Sequence, residues 1–303
     1  MYVHKLNLKK TKFMNKMIMN RLTMLAVTLM ASMACFAQGK LATSIPGGLT
    51  MDAEFDYMEL KYKVIDAESG YEVKVIGFAD AFTADPSKFD TAEEGVEIHH
   101  HNEVFIPHYI GQDDKVAVNV YVSSVADGAL NTTDSELANK VTALVIDYKD
   151  NNKTQGIPVS IGENAFASLT SLTTVQSLTP GGVLNGSSVK TIINTLPESA
   201  FAASVYKSAA LIVPSEYMGK YSSKAAWKNF YIIKDSEGKM LGNVNNDKYV
   251  NSTDYQKLYS EIKTAIKNGT TVAYSTYKDI NGDNKVNSTD YQLLYGIIKG
   301  HIQ

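Results

Sequence analysis

The stretch Asp279-Ile280-Asn281-Gly282-Asp283-Asn284-Lys285-Val286-Asn287-Ser288-Thr289-Asp290 sets an oxygen-bearing side chain at nearly every second position and closes on an acid. A hard divalent cation such as calcium takes about six to eight oxygen ligands, and a twelve-residue loop supplies them from positions 1, 3, 5, 7, 9 and 12. Here those positions are Asp279, Asn281, Asp283, the carbonyl of Lys285, Asn287 and Asp290. Position 6, where such a loop turns sharply, is Asn284, the residue other than glycine that best tolerates a left-handed backbone.

The same pattern lies 36 residues upstream. Asn243–Ile266 and Asp279–Ile302 agree at fourteen of twenty-four positions without a gap, including the run Asn251–Gln256 against Asn287–Gln292. The upstream ligand set is Asn243, Asn245, Asp247, the carbonyl of Tyr249, Asn251 and Asp254. It holds two carboxylates against three in the downstream copy, and weaker calcium binding is expected. Lys248 occupies the turn position, where a left-handed conformation costs about 1 kcal/mol. After each loop, apolar residues recur at helical spacing: Tyr255, Leu258, Tyr259, Ile262 and Ile266, then Tyr291, Leu294, Tyr295 and Ile298. Ser252 and Ser288 are the expected N-caps of these helices.

A duplicated unit of loop plus helix, with Asp rather than Glu at position 12 and no helix expected ahead of the loop, resembles a type I dockerin. The resemblance implies a small all-α domain in which two structural Ca2+ ions order a surface that binds a cohesin-like scaffold protein, often within a polysaccharide-degrading assembly. It implies partner contacts at loop positions 10 and 11, here Ser252, Thr253, Ser288 and Thr289. Where many dockerins carry a basic pair, this chain has Tyr259-Ser260 and Tyr295-Gly296.

Ahead of this module, residues 157–236 contain a second recurring phrase. Ile161-Gly162-Glu163-Asn164-Ala165-Phe166 returns as Leu196-Pro197-Glu198-Ser199-Ala200-Phe201, with Ser171-Leu172-Thr173-Thr174-Val175 after the first copy. This resembles the BspA-like leucine-rich repeats of bacterial surface proteins, with Leu211-Ile212-Val213-Pro214 and Trp227-Lys228-Asn229-Phe230 looking like the closing unit. Residues 38–156 alternate with period two, as in Val116, Val118, Val120 and Val122 against Ala117, Asn119, Tyr121 and Ser123, which predicts half-buried strands. Stacked repeats bury apolar faces against neighbours and need about three units or a cap. The expected fold is therefore multidomain: a β-rich, leucine-rich-repeat-like solenoid, with 38–156 as degenerate repeats or a cap, followed by the dockerin-like domain at 237–303.

Residues 1–37 contain six basic residues and no acid, and an apolar run from Leu22 to Phe36 precedes Ala37. This is the shape of a secretory signal peptide cleaved after Ala37. Ser32-Met33-Ala34-Cys35 faintly resembles a lipoprotein site, and Met14 or Met19 are alternative starts. The run is too short for a membrane span of about 20 apolar residues, so no transmembrane segment is expected after signal removal. The formal charge of −3 falls by six units with that segment, and the rest of the chain has neither Cys nor Arg. Disulfides and thiol chemistry are thereby excluded, and an acidic chain without arginine is a poor nucleic-acid binder.

His99, His100, His101 and His108 suggest a transition-metal site only at first sight. Adjacent strand residues point to opposite faces, and a solvated strand edge is the better reading. No HExxH, GxSxG or phosphate-loop motif is present. The expected function is a non-catalytic extracellular or cell-surface interaction protein whose repeats bind a protein or glycan. The alternatives are a small polysaccharide-active hydrolase bearing a dockerin, and a calcium-stabilised adhesin without a cohesin partner.

Overall fold

A computed structural model describes residues 45–67, 71–84, 102–113, 118–147, 159–178, 183–185, 188–190 and 193–300. The signal-peptide reading of residues 1–37 and the triplet His99 to His101 lie outside the described residues.

The alternation in the first half of the chain produces two sheets. In β2 (Leu60–Asp66) and β3 (Tyr71–Phe78) every second residue points inward, and Leu60, Tyr62, Val64, Tyr71, Val73 and Val75 are buried. Together with β1 (Glu54–Tyr57) these strands form an antiparallel meander. Beyond β3 the pairing changes hand: β3 runs parallel to β6 (Val118–Val125), which runs parallel to β8 (Ser160–Ile161). β5 (Tyr109–Asp113) adds antiparallel on the edge of β6 away from β3, the edge that β8 also uses further along. A short helix, α1 (Asp80–Ala84), follows β3 and buries Phe82.

The second sheet is parallel throughout. β4 (Glu103–Ile106), β7 (Ala143–Ile146), β9 (Thr174–Ser177), β12 (Ala210–Ile212) and β13 (Ile232–Lys234) lie side by side in chain order. In register, Val104, Leu144, Val175, Leu211 and Ile233 form one column of buried residues across all five strands. Strand pairing thus runs without a break across residue 156 and joins the β-rich region to the repeat phrase. The short helices α2 (Ser135–Lys140) and α3 (Ala203–Ser208) precede β7 and β12, and a hairpin of β10 (Val183–Asn185) and β11 (Ser188–Lys190) projects between β9 and α3. α4 (Met218–Ser223) then leads into β13.

Two copies of the phrase are legible in sequence; the structure adds a third unit stacked on them. Ile161 pairs with Val125, the Gly128 N–H donates to the Glu163 carbonyl, and the Leu130 N–H donates to the Ala165 carbonyl. One turn further on, the Phe166 N–H donates to the Ala200 carbonyl at 2.9 Å. Val125-Ala126-Asp127-Gly128-Ala129-Leu130 therefore occupies the same place as the two later copies. Gly162 is required at this stack, because a Cβ there would sit 2.5 Å from the backbone nitrogen of Asp127. Asp127 also accepts the Glu163 N–H on its carboxylate at 2.8 Å.

Glu59 lies at the seam between the sheets, 3% exposed, and accepts the Phe105 N–H at 3.1 Å. Burial raises its carboxyl to about 7, with the nearby Glu103 charge adding to the shift. The folded chain thus holds this proton more tightly than the unfolded chain. The stability that results is fully present below the ordinary carboxylate range and is lost as pH rises through 7. Over that window the wild type is expected to lose about 3 kcal/mol relative to Glu59→Gln. Urea denaturation of both proteins at pH 5 and pH 8 checks this, since the gap between them must change in that direction.

His108 is 5% exposed, packed at a tilt against the Tyr121 ring at 5.7 Å, and burial lowers its pKa. This corrects the solvated-edge expectation for that residue, because the inward side of this edge is roofed by the sheet's own aromatics.

Candidate metal centre

The C-terminal module consists of two loops, each closed by a helix: α5 (Ser252–Lys267) and α6 (Ser288–Gly300). Leu258, Ile262, Leu294 and Ile298 are buried between and beneath the helices, as their helical spacing requires. Tyr255 stacks on Tyr291 with ring centroids 4.2 Å apart, and Tyr259 and Tyr295 extend the contact on either side. The two halves thus meet through equivalent residues of the duplicated sequence.

Position 12 organises each loop. Asp290 and Asp254 are both 0% exposed. One Asp290 oxygen accepts the N–H of Ile280 at 2.8 Å and of Asn281 at 3.4 Å, and the other accepts the N–H of Asn287 at 2.9 Å. Asp254 repeats the scheme with the N–H groups of Val244 (2.7 Å), Asn245 (3.0 Å) and Asn251 (2.9 Å). A carboxylate is the right group here because each oxygen can accept more than one bond and the charge strengthens all of them.

The last bond in each set forms half of a capping box. The Asn251 side chain accepts the Thr253 N–H while Asp254 accepts the Asn251 N–H. Asn287 accepts the Thr289 N–H and Asp290 accepts the Asn287 N–H in the same way. The helix caps are therefore Asn251 and Asn287. This corrects the expectation for Ser252 and Ser288, which are the first helical residues; the shift of one position follows from the box, whose acid must stand three residues after the cap.

The loops differ at position 1. Asp279 is 2% exposed and accepts the N–H groups of Asp283 (3.1 Å) and Asn284 (2.8 Å), while burial, with the Asp290 charge adding to it, raises its carboxyl pKa above the usual range. Asn243 instead donates its amide to the Asp247 carbonyl, leaving its Oδ1 buried without a hydrogen-bond partner. The backbone differs to match. Loop 2 is left-handed at Gly282 (φ 68°) and Asn284 (φ 65°), but loop 1 only at Asn246 (φ 61°). Lys248 does not adopt the left-handed turn expected of it: without an acid at position 1 to hold the amide of position 6, the strained conformation has no compensating bond.

At positions 3, 5 and 9 the side chains serve the loop backbone. Asn245 and Asn281 accept from the amides of Asp247 and Asp283, and Asp247 and Asp283 accept from the amides of Tyr249 and Lys285. Among the described residues no three His, Cys, Asp or Glu side chains are drawn together as a cluster ready for a metal. The donor chemistry nonetheless suits calcium. It is all oxygen, the second carboxylate oxygen of Asp254 and of Asp290 accepts one amide and keeps a lone pair, and the orphaned Asn243 Oδ1 is a buried acceptor lacking a positive partner.

Ser252, Thr253, Ser288 and Thr289 are all exposed at the outer ends of the helices. The sequence did not mark out their neighbours as a face. Tyr259 (48% exposed) and Tyr295 (45%) lie on the same helices, with the ammonium groups of Lys263 and Lys299 5.8 and 5.3 Å from the respective ring centres. The signal available in sequence was the repetition of Tyr and Lys at identical places in both copies.

No curated protein and no solved structure matches the chain. Residues 241–298 match the family model for the dockerin type I domain, a class of calcium-binding module that docks to cohesins, and the chain accordingly carries a dockerin type I domain near its C-terminal end.

Proposed function

We propose that this chain is a non-catalytic extracellular interaction protein, anchored by its dockerin to a cohesin-like partner and presenting a repeat-built β body to a protein or glycan. The observation that carries the reading is the duplicated loop in which a fully buried Asp at position 12 gathers the loop amides. Calcium would be held by Asp279, Asn281, Asp283, the Lys285 carbonyl, Asn287 and Asp290 in loop 2, and by Asn243, Asn245, Asp247, the Tyr249 carbonyl, Asn251 and Asp254 in loop 1. Its chemistry there is structural: the ion neutralises clustered oxygens and fixes the loops, so binding contributes folding free energy. The docking face comprises Ser252, Thr253, Ser288 and Thr289, extended by Tyr259 and Tyr295.

The parallel strands stacked in chain order, with Ala165-Phe166 and Ala200-Phe201 at two levels and Ala129-Leu130 at the third, support a leucine-rich-repeat-like solenoid for the body, with the antiparallel meander β1 to β3 as its cap. The described strands on either side of residue 156 then form one array. An N-terminal secretory signal suits this role, since dockerin proteins are typically extracellular or cell-surface, and among the described residues no helix is long and apolar enough to cross a membrane.

Binding of the full chain to a panel of immobilised cohesin modules, in calcium and in chelator, tests the proposal. Retention by at least one cohesin is expected in calcium only, with Thr253→Asp/Thr289→Asp weakening it about tenfold or more through introduced charge at the face. Absence of retention by any member would favour a calcium-stabilised adhesin, and release of products from plant or host glycans would favour the hydrolase.

A further inference from the structure

The duplicated halves of the dockerin domain differ where one of them meets the β body. Gly282 in loop 2 is buried, whereas Asn246, at the same position of loop 1 and in the same left-handed conformation, is exposed. A Cβ on Gly282 would lie 2.7 Å from the Lys220 nitrogen, and one on Gly219 would lie 2.5 Å from the Gly282 nitrogen. Loop 2 and α4 thus touch backbone to backbone, which no residue larger than glycine permits at either place.

One hydroxyl of α4 fastens this contact, Ser222 donating to the Ile280 carbonyl, while Ser223, shared with the Gly219 and Lys220 carbonyls of its own helix, lies 3.4 Å from the Asn281 carbonyl. On α6, Leu293 and Ile297 line a cavity shared with Phe230, Ile233 and Leu241, where the matching residues of α5 are Lys257 and Glu261. The sequence has therefore diverged between the copies on the side where the second copy packs.

From α4 the contact continues into the array. Tyr221 meets the Trp227 ring edge-on at 5.3 Å, and its hydroxyl pairs with buried Ser177 of β9 at 2.6 Å. Trp227 is the chain's single tryptophan, is 0% exposed, and donates its indole N–H to the Asn194 carbonyl at 2.8 Å.

We infer that loop 2 is a calcium-dependent clasp on the end of the parallel array: the ion that orders Asp279 to Asp290 also secures α4 and the Trp227 cap, while loop 1 leaves its matching residue Asn246 exposed. This rests on the calcium reading above. A ligand that binds only the folded loop stabilises whatever folds with that loop, and α4 is held by the loop's own carbonyls. The dockerin is on this view part of the body's closing structure as well as its tether.

The test uses the metal-stripped full chain titrated with calcium chloride while Trp227 fluorescence and heat are followed together. In wild type, calcium is expected to shift the emission and to raise the melting reported by Trp227 by about 5 °C at a hundredfold excess over Kd. Asp247→Ala in loop 1 keeps the Trp227 response and Asp283→Ala in loop 2 removes it. Ser222→Ala/Ser223→Ala leaves every ligand in place and weakens calcium binding at loop 2 about tenfold, through the loss of the Ser222 bond to the Ile280 carbonyl and of the longer Ser223 contact with Asn281. A Trp227 response unchanged by Asp283→Ala, or a silent Trp227 while heat records both loops filling, overturns the clasp and leaves calcium binding intact. Absence of binding heat removes the calcium reading itself.

Discussion

Asp290→Ala is expected to destabilise the dockerin domain by about 4 kcal/mol even in chelator. The carboxylate is wholly buried and accepts three backbone amides from two separate segments, Ile280-Asn281 and Asn287. Hydrogen bonds to a charged acceptor contribute about 1.5 to 3 kcal/mol each, and the amides left behind would be buried without partners. The three bonds share one acceptor and are not additive, which sets the expected loss below their sum. Asn in place of Asp keeps one accepting oxygen and should cost about half as much. Urea denaturation in EDTA isolates this loss from metal binding. Repeating it in calcium should widen the difference, because the variant also lacks a ligand. An unchanged midpoint in EDTA would show that the loop does not depend on the acid at position 12 in the absence of metal.

Phe166→Ala carries the second large effect, about 4 kcal/mol. Phe166 is 0% exposed and lies at the middle level of the three stacked phrases, with its ring 4.9 Å from that of Phe201 below and its neighbour Ala165 bonded to Leu130 above. Truncation leaves a cavity that a rigid stack cannot close, since each level is pinned to the next through backbone bonds. Phe166→Leu is the informative control. The level above already uses Leu130 at the equivalent place, so the leucine variant should cost only about 1 kcal/mol. Thermal or urea melting of the two variants reads this directly; equal losses would mean that the levels are not equivalent.

The dockerin was legible because duplication preserved the oxygen spacing and because those side chains act locally, within twelve residues. The helices were legible from Leu258, Ile262, Leu294 and Ile298, which are buried, whereas Tyr259, Ile266 and Tyr295, on the same helical spacing, are exposed. The caps were misplaced by one residue because Asn251 and Asn287 were read only as metal ligands, although a capping box with Asp254 and Asp290 uses the same atoms. Lys248 was assigned a turn that loop 1 avoids, since only an acid at position 1 holds the amide that makes the turn worthwhile.

In the body, strand alternation was clear around Val120 and Val122, and the phrase at Ile161 was clear because Gly162 and Phe166 are both constrained. The level at Val125 to Leu130 was hidden: Ala126 stands where Gly162 does and Leu130 where Phe166 does, and only the backbone pairing to Ala165 reveals the equivalence. The clasp was hidden for another reason. Gly219 and Gly282 are 63 positions apart, and neither signals a partner until the fold presses them together.

The most direct measurement of the central claim is a calorimetric titration of calcium into the metal-stripped full chain, paired with its melting curve. Two binding events are predicted, the tighter of them lost in Asp283→Ala, with the melting temperature rising as calcium is added. A flat titration, with one melting curve in both calcium and EDTA, would contradict the account.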